Sequence, residues 1–356
     1  MELERQLRCL IATGGTAGHV LPALAIADEL RNRGVHVTFA GSPDRVEAQL
    51  VPDAGYELDT FHVEGLPRRP SLALAKSVLL AGQAPIACGR ILQRRRPDVV
   101  LGGGGYVSGP MILAAWRRHT PAAVAEADAR LGLANRLSVR FARRVFLAYE
   151  LPDRTGAKYR VVGRPIPVNA LPQDRAVARA QLGLPAEGKV LLIAGARAGA
   201  HALNELAIES FGKVGPPVLH VCGERDFGEL QRRITRPDYR LVAVLDGLGA
   251  AYGACDLAVM RAGGTVWELA AAGLPAILVP YPFATADHQA LNARHFERGG
   301  GAICIPETEL GRVPDLARTL LGQPDRLVRM SERMHALAKP DAAREIAEEL
   351  VALASA

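Results

Sequence analysis

Four times in this chain a short apolar run leads into a glycine-rich turn and then into a stretch with helical periodicity. The turns are Gly14-Gly15-Thr16-Ala17-Gly18-His19, Gly102-Gly103-Gly104-Gly105 followed by Tyr106, the segment 195–199, and Gly263-Gly264-Thr265. Apolar run, tight turn and helix in alternation are the pattern of parallel α/β units, because a parallel strand needs a crossover before the next one can pair. Strands are expected at 9–12, 35–40, 98–101, 122–125, 145–147 and 161–162. A second series is expected at 190–194, 218–222, 241–245, 257–260, 276–279 and 302–305. Helices are expected at 22–33, ended by Gly34, and at 110–119, 200–211 and 341–354.

Pro165 and Pro167 interrupt the alternation, and 165–185 reads as a linker carrying a short helix before the scheme restarts. Two domains follow, 1–163 and 164–340, with the segment 341–356 joining the first because its helix has no following strand. A length of 356 residues suits two domains. Aromatic residues are only 5%, which tells against an all-β sandwich, and 49% hydrophobic with 22% charged residues excludes wholesale disorder. Lys plus Arg outnumber Asp plus Glu by 43 to 37, which fits an anionic partner: a nucleotide, a nucleic acid or an acidic membrane surface. Five scattered cysteines without CxxC spacing indicate neither a disulfide framework nor a zinc site, and read as buried thiols in a reducing cytoplasm. The first residues lead straight into a strand rather than a signal peptide, and no apolar run is long enough to span a bilayer.

A helix N-terminus carries unpaired N–H groups and favours an anion, and in open α/β sheets ligands bind at the carboxyl ends of strands. Four such turns, two in each half, therefore point to a ligand cleft between two domains. Common phosphate binders fail one by one. No turn continues into Gly-Lys-Ser/Thr, the first turn lacks the GxGxxG spacing and its second strand ends without an acid, and GxSxG is absent.

With their neighbours, the turns resemble one family: the MurG-type glycosyltransferases. The stretches that carry the resemblance are TGGTAGHVLPALAIADEL (13–30), GGGGYVSGP (102–110), Glu126 to Asn135, VVGRPIP (161–167), GARAGAHALNE (195–205), RAGGTVWELAAAGLPAILVPYP (261–282) and ADHQALNA (286–293). They run through most of the chain in the family's order. The resemblance implies a GT-B fold, two Rossmann-like α/β domains whose parallel sheets face a central cleft. It implies an inverting, metal-independent transfer of N-acetylglucosamine from UDP-N-acetylglucosamine to polyprenyl-linked lipid I, giving lipid II. The chain departs from the family at Ala17 (usually Gly), Arg164 (usually Asn), Arg197 (usually Ser) and Ala127-Asp128 (usually Gln-Asn), and the turn after Arg261 is one residue short.

The resemblance assigns roles that the residue chemistry supports. His19 is the expected base for the acceptor hydroxyl. Thr16 either contacts ligand or caps the helix. The Glu268 carboxylate suits a ribose diol, and the backbone at Leu245 would face uracil. Arg164, Arg197 and Arg261 would meet charge on the departing UDP, with Gly195, Gly264 and Thr265 in the donor-side turns. His288, Gln289 and Asn292 would hold the sugar, the last two as i, i+3 neighbours. Acceptor contacts are expected from Gly14, Gly15, Gly18, Gly104, Gly105, Tyr106, Glu126 and Asp128. The Glu126-x-Asp128 spacing is also one used for divalent metals, but it lies in the half away from the nucleotide residues. Neither a metal, nor another cofactor, nor a nucleic acid is expected.

The segment 68–96 is expected to dock on an anionic membrane surface. Leu72, Leu74, Val78, Leu79, Leu80, Ile86, Ile91 and Leu92 are flanked by Arg68, Arg69, Arg90, Arg94, Arg95 and Arg96, and Pro85 divides the run. The family resemblance implies such a site, because the acceptor carries a polyprenyl tail, and with it a peripheral place on the cytoplasmic face of a bacterial plasma membrane. Rival readings are a related UDP-sugar transferase with another lipid or small aglycone, a UDP-GlcNAc 2-epimerase, and an inactive nucleotide- or lipid-presenting subunit.

Overall fold

The computed structural model describes residues 5–63, 72–195 and 199–355. The chain forms two units, Met1–Pro167 with Pro340–Ala356, and Val168–Lys339. Among the described residues no helix is long and apolar enough to cross a membrane.

The first unit runs β1 (Arg8–Ala12), α1 (Ala17–Asn32), β2 (His36–Gly41), α2 (Glu47–Asp53), β3 (Glu57–Thr60), α3 (Leu72–Arg95), β4 (Val99–Gly102), α4 (Ser108–Arg117), β5 (Ala122–Glu126), α5 (Leu133–Ser138), β6 (Arg144–Leu147) and β7 (Tyr159–Val161). Its seven strands lie in the order β3-β2-β1-β4-β5-β6-β7, every neighbouring pair parallel. Cys9 of β1 pairs with Val37 on one side and Val99 on the other. The central strands are apolar without alternation because both faces are covered. On one face Phe39, Ile26 and Leu30 pack with Ile346 and Leu350; on the other Leu10 and Val100 pack with Leu92, Met111 and Ile112.

The second unit runs α6 (Arg175–Leu182), β8 (Leu191–Ala194), α7 (His201–Phe211), β9 (Val218–Val221), α8 (Glu224–Gln231), β10 (Tyr239–Val242), α9 (Gly249–Ala254), β11 (Leu257–Met260), α10 (Val266–Ala271), β12 (Ala276–Leu278), α11 (His288–Arg298), β13 (Ala302–Cys304), α12 (Val313–Leu321) and α13 (Pro324–Leu337). Its six parallel strands lie in the order β10-β9-β8-β11-β12-β13. The last helix, α14 (Ala342–Ala354), belongs to the first unit and supplies the Ile346 and Leu350 just named.

Several sequence expectations change. Helix α1 begins at Ala17, not Pro22, and Pro22 lies inside it. Helix α3 runs unbroken through Pro85: the ring removes one ladder hydrogen bond, but Ala84, Cys88, Ile91 and Leu92 anchor the following turns in the core. Ile91 and Leu92 are therefore core residues, not docking surface. Strand β10 stops at Val242, leaving Leu245 in the following turn. The segment 165–185 carries its short helix as α6, and this helix is tied to the second unit. Asp174 caps α6 through the N–H groups of Ala176 and Val177, and the buried Arg179 donates to the carbonyls of Pro185, Ala186, Gly188 and Ala254 while pairing with Asp256. Cys304 is only half-buried, unlike the other four cysteines.

Candidate active site

In each sheet the chain leaves the central pair in opposite directions, between β1 and β4 and between β8 and β11. This crossover point is where open α/β sheets bind ligands, because the connections diverge and leave a crevice at the strand ends. All four glycine turns follow one of those four strands.

In the first unit the two turns form one structure. The Thr13 hydroxyl lies 3.0 Å from the His19 carbonyl oxygen and 3.3 Å from that of Gly103. The buried Ser108 hydroxyl accepts the Gly104 N–H at 2.9 Å and shares its proton between the carbonyls of Ala12 and Gly104. Gly104 and Gly105 have φ of +103° and +76°. A Cβ on Gly104 would stand 2.6 Å from the His19 ring, and one on Gly105 would stand 2.1 Å from the Gly14 carbonyl oxygen. Side chains there would force the turns apart. The Tyr106 ring lies against Gly15, and its hydroxyl is buried. Burial, and then the Glu47 charge, raises its pKa.

His19 is the third residue of α1 and is half-buried. Thr16 occupies the N-cap position in extended conformation, yet its hydroxyl bonds no backbone amide. It lies 3.2 Å from His19 Nδ1 instead, so it orients the imidazole. The sequence offered ligand contact or capping for Thr16; the geometry adds this third role.

Three residues expected on the acceptor and donor sides have partners within this unit. Gly15 was to contact acceptor, but its N–H donates to Glu47 Oε2 at 2.9 Å, with Ser42 N–H on Oε1 at 3.0 Å. Glu47 is fully buried, and sequence reasoning missed it. Arg164 lies in the first unit, buried, and donates to the carbonyls of Gly18 (2.5 Å) and Ala127 (3.3 Å), so its task here is to hold backbone. Glu126 is buried and accepts from Asp128 N–H, Gly132 N–H and Asn135 Nδ2, which shapes the loop after β5. Burial raises its pKa, while the Gly132 and Asn135 donors lower it. Asp128, beside it, is half-buried. Among the described residues no group of three or more His, Cys, Asp or Glu side chains is placed to hold a metal ion.

In the second unit, beyond β8, Gly195 lies against Ala200 and Gly199 against the Cys222 carbonyl. Arg197 lies outside the described residues. Gly264 and Thr265 form the turn into α10, whose third residue is Glu268; the Leu269 N–H bonds Thr265 O at 3.0 Å. Glu268 Oε2 accepts the Tyr252 hydroxyl at 2.8 Å, a partner the sequence did not reveal. His288 begins α11, and Gln289 Oε1 accepts the Tyr281 N–H at 2.9 Å. Asn292 was expected to share a sugar-facing side with Gln289. It is fully buried and donates to the Ala262 carbonyl at 3.2 Å, which fixes the β11 turn from behind. Arg261 is likewise buried: it pairs with Glu307 and donates to the Val279 and Pro280 carbonyls. Its charge is thus paired with Glu307, and it ties the end of β11 to the segment after β12.

In the expected docking segment, Arg68 and Arg69 lie outside the described residues, as do the side chains of Leu72, Leu74, Val78, Leu79 and Leu80. Arg94 and Arg95 pair with Asp59, and Arg95 also with Glu57, so they are not free basic groups at the rim. Ile86 is exposed. So are Trp116 on α4 and Leu133 and Leu137 on α5, which the sequence reading left out.

Two all-parallel units with glycine turns at both crossover points give the GT-B architecture, and the family models make this chain a glycosyltransferase of that class. It belongs to glycosyltransferase family 28: the model of that family's N-terminal domain matches residues 9–147, and that of its C-terminal domain matches 190–346. The chain is 41% identical to the "UDP-N-acetylglucosamine--N-acetylmuramyl-(pentapeptide) pyrophosphoryl-undecaprenol N-acetylglucosamine transferase" of Salinibacter ruber, over 97% of this chain and 96% of that protein. It is 41% identical to the protein of the same name from Acidithiobacillus ferrooxidans, over 95% of each. Among solved structures it is similar to Acinetobacter baumannii MurG, with a TM-score of 0.80 and 28% identity, covering 97% of this chain and 99% of that one. A UDP-N-acetylglucosamine 2-epimerase, at 16% identity and a TM-score of 0.66 over 98% and 96% of the two chains, shares the fold alone.

Proposed function

We propose that this chain transfers N-acetylglucosamine from UDP-N-acetylglucosamine to the 4-hydroxyl of N-acetylmuramic acid in lipid I, forming lipid II for peptidoglycan. The observation that carries the reading is the pairing of near-full-length similarity to transferases of that name with an imidazole held by Thr16 at the first-unit crossover point. The first unit takes the acceptor, and His19 removes the proton from its hydroxyl as that oxygen attacks the anomeric carbon with inversion. Gly104, Gly105 and Tyr106 shape the acceptor side.

The second unit takes the donor. Glu268 accepts hydrogen bonds from the ribose diol, Leu245 lines the uracil side, and His288 and Gln289 lie toward the sugar. The turn between Gly195 and α7, with Gly264 and Thr265, supplies donors to the diphosphate, whose developing charge is met by backbone dipoles without a metal.

The protein works peripherally at the cytoplasmic face of the plasma membrane. Support comes from α3, α4 and α5, which pack side by side and expose Ile86, Trp116, Leu133 and Leu137 among the exposed Arg90, Arg117, Arg118, Arg136 and Arg140.

The test is turnover with radiolabelled UDP-N-acetylglucosamine and a lipid I acceptor. His19→Ala should lower turnover by roughly 10²–10⁴-fold with donor binding intact. Near-normal turnover in that variant, or release of N-acetylmannosamine and UDP without any acceptor, would overturn the reading.

A further inference from the structure

Tyr252 lies on α9, 16 residues and one strand, β11, before the carboxylate it touches. Its side chain is 2% exposed, and its hydroxyl donates to Glu268 Oε2 at 2.8 Å. Glu268 is half-buried on the first turn of α10, at the crossover point of the second sheet. A glutamate there has several rotamers open to it, and a diol needs both carboxylate oxygens at defined positions. The phenol holds one of those oxygens before ligand arrives.

The helix that presents the phenol is itself immobilised. Gly249 lies so close to the 169–173 segment that an added Cβ would stand 2.1 Å from the Leu171 carbonyl oxygen. At Gly253 it would stand 2.1 Å from the Gln173 carbonyl oxygen. The Gln173 N–H also donates to the Gly249 carbonyl at 3.2 Å. Burial and the neighbouring Glu268 charge raise the phenol's pKa well above its usual value, so the hydroxyl stays a donor at every working pH.

We propose that Tyr252 is a positioning residue that presets the Glu268 carboxylate for a ribose diol, and so makes the second unit selective for ribonucleotides over their deoxy counterparts. This rests on the ribose role proposed for Glu268. A rigid acceptor raises affinity by removing an ordering cost from binding, and only for ligands that use it.

The experiment is calorimetric titration of the full chain with UDP and with 2′,3′-dideoxy-UDP, for wild type, Y252F, E268A and the double variant, with thermal unfolding alongside. Y252F should weaken UDP about 3- to 10-fold, the size expected for one hydrogen bond to a charged group partly replaced by water. It should leave dideoxy-UDP unchanged, and it should add nothing in the E268A background. Equal loss for both nucleotides, additivity with E268A, or a Phe variant that does not fold would assign the hydroxyl to general stability and overturn the inference. If E268A weakens UDP while Y252F does not, the positioning role alone fails. If E268A leaves UDP affinity unchanged, the ribose reading fails and takes the inference with it.

Discussion

The guanidinium of Arg164 donates to the carbonyl oxygen of Gly18 at 2.5 Å, across 146 positions of sequence. That carbonyl is the one Pro22 leaves without its helical partner, since a proline at position i has no N–H for the oxygen at i−4. The proline inside α1 and the arginine after β7 therefore form a complementary pair, and their meeting point is the turn that carries His19.

Arg164→Ala should destabilise the first unit by about 1.5–3 kcal/mol, the range for a charged hydrogen bond lost from a buried acceptor. In a Pro22→Ala background residue 22 regains an N–H for Gly18, so the same arginine substitution should cost about 1 kcal/mol less. Urea unfolding of the four proteins measures the cycle. Equal costs in both backgrounds would break the link between the two residues.

Glu47 gives a second cycle. Its removal leaves the N–H groups of Gly15 and Ser42 without their acceptor, so Glu47→Ala should cost about 2–4 kcal/mol. A Cβ on Gly14 would stand 2.1 Å from Glu47 Oε1, which explains why the first turn has glycine there. Gly14→Ala should therefore be destabilising in the natural protein and nearly neutral once Glu47 is Ala. Thermal unfolding of the double variant decides it: an undiminished Gly14 penalty would place the constraint in the backbone instead.

What the sequence made legible was local. Glycine after an apolar run marks a strand end and a helix start whatever the rest of the chain does, so all four turns and the twofold architecture could be read directly. What it hid depends on partners far away. Pro22 read as a helix start because proline favours the first turn, and only Arg164 shows how α1 accommodates it five residues further in. Glu47 sits in a stretch with no motif, where an acid reads as solvated surface. Asn292 has the helical spacing of a sugar contact, yet a buried face and an exposed face share that spacing, and packing against Ala262 chose the buried one. Tyr252 gives no signal until its hydroxyl is seen on Glu268.

Buried His220 supplies a pH prediction. The Asn204 amide nitrogen donates to the Cys222 carbonyl and Asp226, so its oxygen faces His220 Nε2, which must carry the proton; Nδ1 then accepts from the Tyr239 hydroxyl at 2.8 Å. Burial pushes the imidazole pKa down from 6.5 to about 3, with the Asp226 charge opposing. As pH falls below 6.5 the unfolded chain takes up this proton and the folded one does not. Stability is thus fully present above pH 6.5 and lost between 6.5 and about 3, at up to about 1.4 kcal/mol per pH unit from this group. His220→Gln should flatten that slope by up to one proton in urea titrations at pH 4 to 8; an unchanged slope would assign the acid sensitivity elsewhere.

The membrane docking proposed above would draw on Trp116, Leu133 and Leu137, outside the segment that first suggested it, as well as on Ile86 within it. The Trp116 ring lies 5.0 Å from that of Phe141, and the Arg140 guanidinium lies 5.0 Å over the same Phe141 ring, so an exposed indole and a cation are joined through one side chain. Each large apolar side chain moved from water into the acyl boundary contributes about 1.5–3 kcal/mol, and the arginines add a salt-sensitive attraction to anionic headgroups. Trp116→Ser with Leu137→Ser should therefore reduce co-flotation with phosphatidylglycerol vesicles at least several-fold while the affinity for UDP stays as in the natural protein. Arg140→Glu should weaken flotation mainly at low salt, because screening already removes most of its attraction at high ionic strength. Undiminished flotation of the Trp116 and Leu137 double variant would move the docking face off α4 and α5 and return it to the N-terminal half of α3.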